Sequence, residues 1–118
     1  MGVTNILLKV KNPGNPSNFY KSKFLVDSGA SFTVVPKNEL RKIGIKPVRK
    51  ESFFLADGKT IKREVGNALF EYMGIEAAAP VMFGQKGDSN LLGIFTLEAL
   101  GLSLDPLKRE LYKATLRI

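Results

Sequence analysis

The residues best suited to chemistry lie where an apolar segment ends in a glycine turn. A Phe-Leu-Val run at 24–26 leads directly into Asp27, Ser28 and Gly29, and a second apolar run follows at 32–35. A buried strand that ends in an aspartate holds the carboxylate rigidly, as a general acid or base requires. The alternative is a purely structural role, as an ordinary Asx turn between two strands. Asp-Ser-Gly alone is too common to decide, and its setting between two apolar runs favours the chemical interpretation.

The composition narrows the chemistry that such a site could use. The 118 residues include no cysteine and no histidine. Thiol nucleophiles, Ser-His-Asp triads and imidazole-ligated zinc are therefore excluded, and no histidine exists to activate Ser28 as a nucleophile. Acid–base chemistry is left to carboxylates, lysine or tyrosine. Among these, aspartate and glutamate are the prime candidates.

The elements around this segment follow a β pattern. Apolar alternation and turn residues predict two short helices, at 37–43 and 94–100, and otherwise strands. The predicted strands are 3–11, 19–26, 32–35, 48–55, 60–65, 68–73, 75–83, 102–105 and 108–118. Asp57-Gly58 is a strong signal for a hairpin turn, and Gly66-Asn67 is predicted to separate two strands. The sum is a mainly β single domain, a small closed or partly closed barrel.

A second feature changes the weight of the first. Residues 91–93 read Leu-Leu-Gly, and residues 97–102 read Leu-Glu-Ala-Leu-Gly-Leu. Taken alone, this stretch predicts a strand end and the start of a helix. Taken with Leu-Val-Asp-Ser-Gly-Ala at 25–30 and the hairpin around Asp57, it resembles the retropepsin-like aspartic proteases, the single-domain retroviral type with cellular and microbial members. The resemblance covers roughly residues 5–105.

The resemblance implies a fold, an assembly and a mechanism. It implies that residues 1–118 form one closed barrel of the acid-protease type and that the chain is an aspartic endopeptidase acting as a homodimer on peptide or protein substrates. Asp27 from each subunit would activate a water, with no metal and no cofactor. Ser28 and Gly29 would support the site. The residues implied to bind substrate lie beside Asp27 and in the hairpin: Ala30, Ser31, Leu55, Ala56, Asp57 and Gly58.

Some positions depart from the family pattern. Ser28 replaces the commoner threonine, a change that the family tolerates. Ser31 stands where many viral members carry an acidic residue that binds substrate. The segment 106–118 is longer than the short C-terminal strand of viral members. The expected dimer contacts are apolar strand edges near the two chain ends: Ile6, Leu7, Leu8, Leu111, Tyr112, Leu116 and Ile118.

Two other functions compete with the peptidase. A non-catalytic dimerisation or interaction module with the same fold would have no need to keep Asp27 beside Ser28 and Gly29. A basic barrel that binds nucleic acid is suggested by the formal charge of +7, but the phenylalanines lie largely in apolar strands rather than at positions suited to base stacking.

The remaining expectations concern the surface and the compartment. A basic cluster near the first helix is expected to be a solvated face rather than a polyanion site; its members are Arg41, Lys42, Lys46, Arg49 and Lys50. No signal peptide and no membrane span is recognisable in the sequence, so we expect a cytoplasmic protein without membrane insertion.

Overall fold

The strands of this protein are arranged in a ring. The structure is a computed structural model and describes residues 4–105 and 107–118. The strands are β1 (Asn5–Asn12), β2 (Asn15–Val26), β3 (Thr33–Pro36), β4 (Arg49–Phe54), β5 (Thr60–Tyr72), β6 (Ile75–Gly84), β7 (Leu91–Leu92), β8 (Leu102–Asp105) and β9 (Glu110–Lys113). The helices are α1 (Lys37–Lys42) and α2 (Ile94–Ala99). The mainly β architecture with two short helices is as the sequence predicts.

Seven strands form one mixed sheet in the order β1-β2-β7-β3-β6-β5-β4. The sheet closes because β1, which is paired with β2, also pairs antiparallel with β5. Lys9–Lys11 of β1 lie opposite Leu69–Glu71 of β5. Strand β4 pairs with the far end of β5 and lies outside the closed ring. Strands β8 and β9 form a separate two-stranded sheet. The ring confirms the expected barrel.

The interior of the ring is the hydrophobic core. Alternate residues of β1 point inward, so that Ile6, Leu8 and Val10 are buried while their neighbours are not. Large side chains from the other strands fill the centre, among them Phe24, Phe70 and Phe83, all fully buried. Neither helix in the described part of the chain is long and apolar enough to cross a membrane.

One prediction about the strands is wrong. Gly66 does not end a strand: β5 runs without a break from Thr60 to Tyr72. Gly66 is buried, and a Cβ there would lie 2.9 Å from the Lys46 carbonyl oxygen, so this glycine permits close packing rather than a turn. Ile6 and Leu8 are buried in the core and Leu7 is 55% exposed, and β5 pairs with β1 only at Lys9–Lys11, so the expected dimer contact at Ile6–Leu8 stays a prediction.

An ion cluster lies beside the closure of the ring. Lys11 on β1 contacts both Glu71 on β5, at 2.5 Å, and Glu76 on β6, at 2.6 Å. The hydrogen bond with Glu71 raises the pKa of Lys11 above its ordinary value, with a smaller contribution from Glu76. The same hydrogen bond lowers the pKa of Glu71 below its ordinary value. The cluster therefore joins three strands of the ring.

The basic cluster predicted near α1 lies in solvent. All five of its side chains are exposed. Lys42 contacts Glu39 at 3.6 Å and Arg49 contacts Glu51 at 3.5 Å, both as surface pairs. The side chains of the cluster are open to solvent, and the absence of a polyanion-binding role stays a prediction.

Candidate active site

The Asp27 loop (residues 27–31) begins where β2 ends. The Gly29 N–H donates to Asp27 Oδ1 at 2.9 Å, and the Ala30 N–H donates to the Asp27 carbonyl oxygen at 3.1 Å. The Asx turn that the sequence predicts as the purely structural alternative is therefore present. It fixes one carboxylate oxygen, while Asp27 is half-buried and Ser28 and Gly29 are exposed. A fixed and accessible carboxylate is what general acid–base chemistry requires.

The loop is held from one side by residues 91–96, the anchor segment. Strand β7 pairs in parallel with β2, with Leu25 opposite Leu91 and Val26 opposite Leu92. The Asp27 N–H donates to the Leu92 carbonyl oxygen at 3.0 Å. The structure thus brings together the two motifs that the sequence singles out.

Helix α2 begins against the other end of the same loop. The Ile94 N–H donates to the Ala30 carbonyl oxygen at 2.8 Å, and the Phe95 N–H donates to the Ser31 carbonyl oxygen at 3.1 Å. These contacts require that Gly93 carry no side chain, since a Cβ there would lie 2.6 Å from the Phe32 backbone. The Asp27 loop and the anchor segment form the floor of the site.

A groove of about 530 Å³ opens above part of this floor. Its lining includes Gly29, Ala30 and Ser31 from the loop. Most of its other lining residues are apolar: Phe32, Val34, Phe53, Phe54, Leu55, Ile61, Met82 and Leu91. An apolar groove beside a fixed carboxylate suits a substrate with large apolar side chains.

The flap hairpin (residues 53–61) lies opposite the floor. Its turn is closed by the Leu55 N–H, which donates to the Lys59 carbonyl oxygen at 2.7 Å, and by the Lys59 N–H, which donates to Asp57 Oδ1 at 2.9 Å. Gly58 has a φ of 85°, the conformation that the Asp-Gly signal predicts for a tight turn. The hairpin predicted around residues 56–59 is confirmed.

The predicted substrate-binding residues divide into two groups. Ala30, Ser31 and Leu55 line the groove. The tip residues 56–58 are exposed and are not part of its lining.

Several residues of the site are not predicted from the sequence. Phe32 packs edge-on against Phe53 with ring centroids 5.4 Å apart, which joins the floor to the flap hairpin. Asp88 also lines the groove, and its Oδ2 accepts from the Gln85 N–H at 2.8 Å and from Arg63 at 3.3 Å. The Phe32–Phe53 and Arg63–Asp88 contacts have no sequence signal, because each joins segments that only the fold brings together, whereas the Gln85–Asp88 bond lies within one turn.

The comparisons with known proteins concern the fold. No protein-family model matches the sequence, and no curated protein matches it. The solution structure of the Simian Foamy Virus (mac) protease superposes on this chain with a TM-score of 0.52, 24% sequence identity, and coverage of 78% of this chain and 91% of that one. The chain has a retropepsin-like fold. The acid-protease type of barrel that the sequence resemblance implies is therefore confirmed.

Proposed function

We propose that residues 1–118 form a single aspartic protease domain that hydrolyses peptide bonds as a homodimer. One observation carries the proposal. Within a retropepsin-like fold, the single Asp-Ser-Gly of the chain occupies a loop whose N–H and carbonyl groups are bonded to the anchor segment, beside an apolar groove. A rigid aspartate next to an apolar groove supports peptide hydrolysis better than a purely structural turn.

The homodimer follows from the number of carboxylates. Acid–base hydrolysis by this route needs two carboxyl groups, and the chain has one Asp-Ser-Gly. A second copy of Asp27 across a two-fold axis would complete the pair. The two carboxylates would share one proton, because two like charges at hydrogen-bond distance cannot both ionise.

The reaction then needs no covalent intermediate. One Asp27 takes a proton from a water held between the pair, and the other protonates the carbonyl oxygen of the scissile bond. The resulting tetrahedral diol collapses when the Asp27 that holds the proton from the water gives it to the leaving nitrogen, while the other Asp27 takes a proton back from a diol hydroxyl. Ser28 and Gly29 maintain the loop and take no proton from the substrate.

Each remaining site residue has a proposed role in holding the peptide. Ala30, Ser31 and Leu55 contact it from the groove. Ala56, Asp57 and Gly58 reach it when the flap hairpin closes, and the hairpin backbone adds hydrogen bonds to the extended substrate.

The test is a mixing experiment with Asp27→Asn. We expect the variant to fold and dimerise but to hydrolyse no peptide, since the amide cannot exchange the required proton. Added to a fixed amount of wild type, it should lower peptidase activity to about half at equimolar ratio, because random pairing leaves half of the wild-type chains in mixed dimers.

Glu98→Gln is the matched control, because Glu98 is exposed on α2 and the change again removes one charge at constant size. It should neither lose activity nor inhibit the wild type. Wild-type activity that is insensitive to added Asp27→Asn would contradict the shared site. A wild type that dimerises but cleaves no peptide would favour the non-catalytic module.

A further inference from the structure

A pair of hydroxyl groups is buried beneath the floor of the site. Thr33, at the start of β3, and Thr96, in α2, both have 0% exposure, and they are the only buried polar or charged residues in the described part of the chain. Their Oγ1 atoms lie 2.6 Å apart, so one hydroxyl donates to the other. The two residues are far apart in sequence, and their contact joins β3 to α2.

Thr33 has a second partner. The Gly93 N–H donates to Thr33 Oγ1 at 3.1 Å. Gly93 is also pressed against the Phe32 backbone, where a Cβ would lie only 2.6 Å away. The Thr33 hydroxyl therefore bonds the anchor segment to β3 at the residue that packs closely against the Phe32 backbone.

The residues that hold the Asp27 loop flank Gly93 directly. Leu92 accepts from the Asp27 N–H, and Ile94 donates to the Ala30 carbonyl oxygen. A displacement of Gly93 would thus move Leu92 and Ile94, which are joined to it by peptide bonds. Their hydrogen bonds to Asp27 and Ala30 would pass the displacement on to both ends of the turn.

We propose that Thr33, supported by Thr96, is a positioning residue for the Asp27 carboxylate. The inference rests on the proposed peptidase function. Apolar residues of the same volume could fill this buried space without a hydroxyl, and replacing a bonded pair by apolar groups can be nearly neutral for stability. The hydroxyl pair instead fixes the position and orientation of the Gly93 N–H, because Thr33 Oγ1 is its acceptor.

The test compares Thr33→Val, Thr33→Ser and a core variant remote from the site. Thr33→Val keeps the volume and leaves the Gly93 N–H without its acceptor. We expect kcat to fall about tenfold to a hundredfold with little change in KM, since a small misplacement of a catalytic group has effects of this size. Thr33→Ser keeps the hydroxyl and should restore kcat to within about twofold of the wild type.

The remote control is Val10→Ala, at a fully buried position on β1 that takes no part in the site. It should lower the thermal midpoint at least as far as Thr33→Val while leaving kcat unchanged. Thr96→Val keeps the Gly93 hydrogen bond and should give a smaller loss of kcat than Thr33→Val. It replaces Thr33→Val in the comparison if Thr33→Val does not fold. Equal kcat in Thr33→Val and Val10→Ala at equal stability, or a Thr33→Ser variant as slow as Thr33→Val, would overturn the inference.

A second measurement separates this inference from the peptidase proposal. Amide hydrogen exchange at Gly29 and Ala30 reports the two hydrogen bonds of the Asp27 turn without any substrate. Exchange there should be faster in Thr33→Val, or in Thr96→Val to a smaller degree, than in Val10→Ala of equal global stability. If the wild type hydrolysed no peptide, the proposed function would be wrong, but the exchange rates would still show whether Thr33 positions the loop. Equal exchange rates in Thr33→Val and Val10→Ala would overturn the inference about Thr33.

Discussion

The floor and the flap hairpin line the same groove and are held in opposite ways. In the floor, the backbone groups of Asp27, Ala30 and Ser31 are bonded to a segment far away in sequence. In the flap hairpin, the turn is closed by contacts within residues 55–59. The side chains differ likewise: Thr33 beneath the floor is fully buried, whereas Phe54 is 82% exposed. The proposed peptidase would use both properties, a rigid carboxylate in the floor and a hairpin that can open and close over the substrate.

The two glycines at these places make the sharpest comparison. Gly93→Ala should have the largest effect, because the new Cβ meets backbone atoms at 2.6 Å that cannot move aside. We expect a loss of more than about 3 kcal/mol of stability, beyond the usual cost of overpacking, and no peptidase activity. Chemical denaturation and a peptide-cleavage assay measure the two effects. A fully active and stable Gly93→Ala variant would show that the floor is adaptable.

The aromatic contact between floor and flap is next in size. Phe53→Ala removes a groove wall and the edge-on contact with Phe32. We expect KM to rise about tenfold while kcat changes little, because an aromatic contact and its buried area are worth about 1–2 kcal/mol. Phe19→Ala is the control, since Phe19 is half-exposed and does not line the groove. A fall in kcat rather than a rise in KM would mean that the flap positions the reacting groups.

The second glycine, Gly58, should give a smaller effect than Gly93. Gly58 has a φ of 85°, and a Cβ added there would have no atom within 4 Å other than those of Gly58 and its two chain neighbours, so Gly58→Ala adds conformational strain without a clash. We expect a cost of about 1–2 kcal/mol that is confined to the hairpin tip, with a reduced rate of peptide cleavage. Amide exchange should increase at Leu55 and Lys59 and stay unchanged at Gly29. Faster exchange in the floor would break the distinction between the two regions.

The smallest effect is expected at the closure of the ring, away from both regions. The lowered pKa of Glu71 means that its contribution to stability is present above its ordinary value of 4.5 and is lost as the pH falls through the folded-state value. The raised pKa of Lys11 means that its contribution is present below 10.5 and is lost as the pH rises through the folded-state value.

Lys11→Met should therefore lower the thermal midpoint slightly at about pH 7, and the gap from the wild type should narrow towards about pH 3. Relative peptidase activity at a temperature well below both midpoints should be unaffected. A gap that stays constant across this range would show that the cluster contributes nothing through its charges.

Local patterns in the sequence predict most of the elements and half of the site. The Asp-Ser-Gly and Leu-Leu-Gly motifs and the Asp57-Gly58 turn are short-range signals, and each lies in the structure where the pattern indicates. Gly66 is misinterpreted because a glycine needed for close packing and one needed for a turn look the same in a sequence. The Thr33–Thr96 pair is missed for a related reason: threonine is common in strands, and only the fold shows that these two hydroxyls meet.

The closure of the ring has a consequence for how the protein folds. The β1–β2 and β5–β6 hairpins join neighbouring segments, whereas β1–β5 and β2–β7 pair residues that are far apart along the chain. Distant pairings carry a larger loop-closure entropy and form more slowly than hairpins. We therefore expect the two hairpins to form first and the Asp27 turn to acquire its final geometry only in the last, slow step, when β7 enters between β2 and β3.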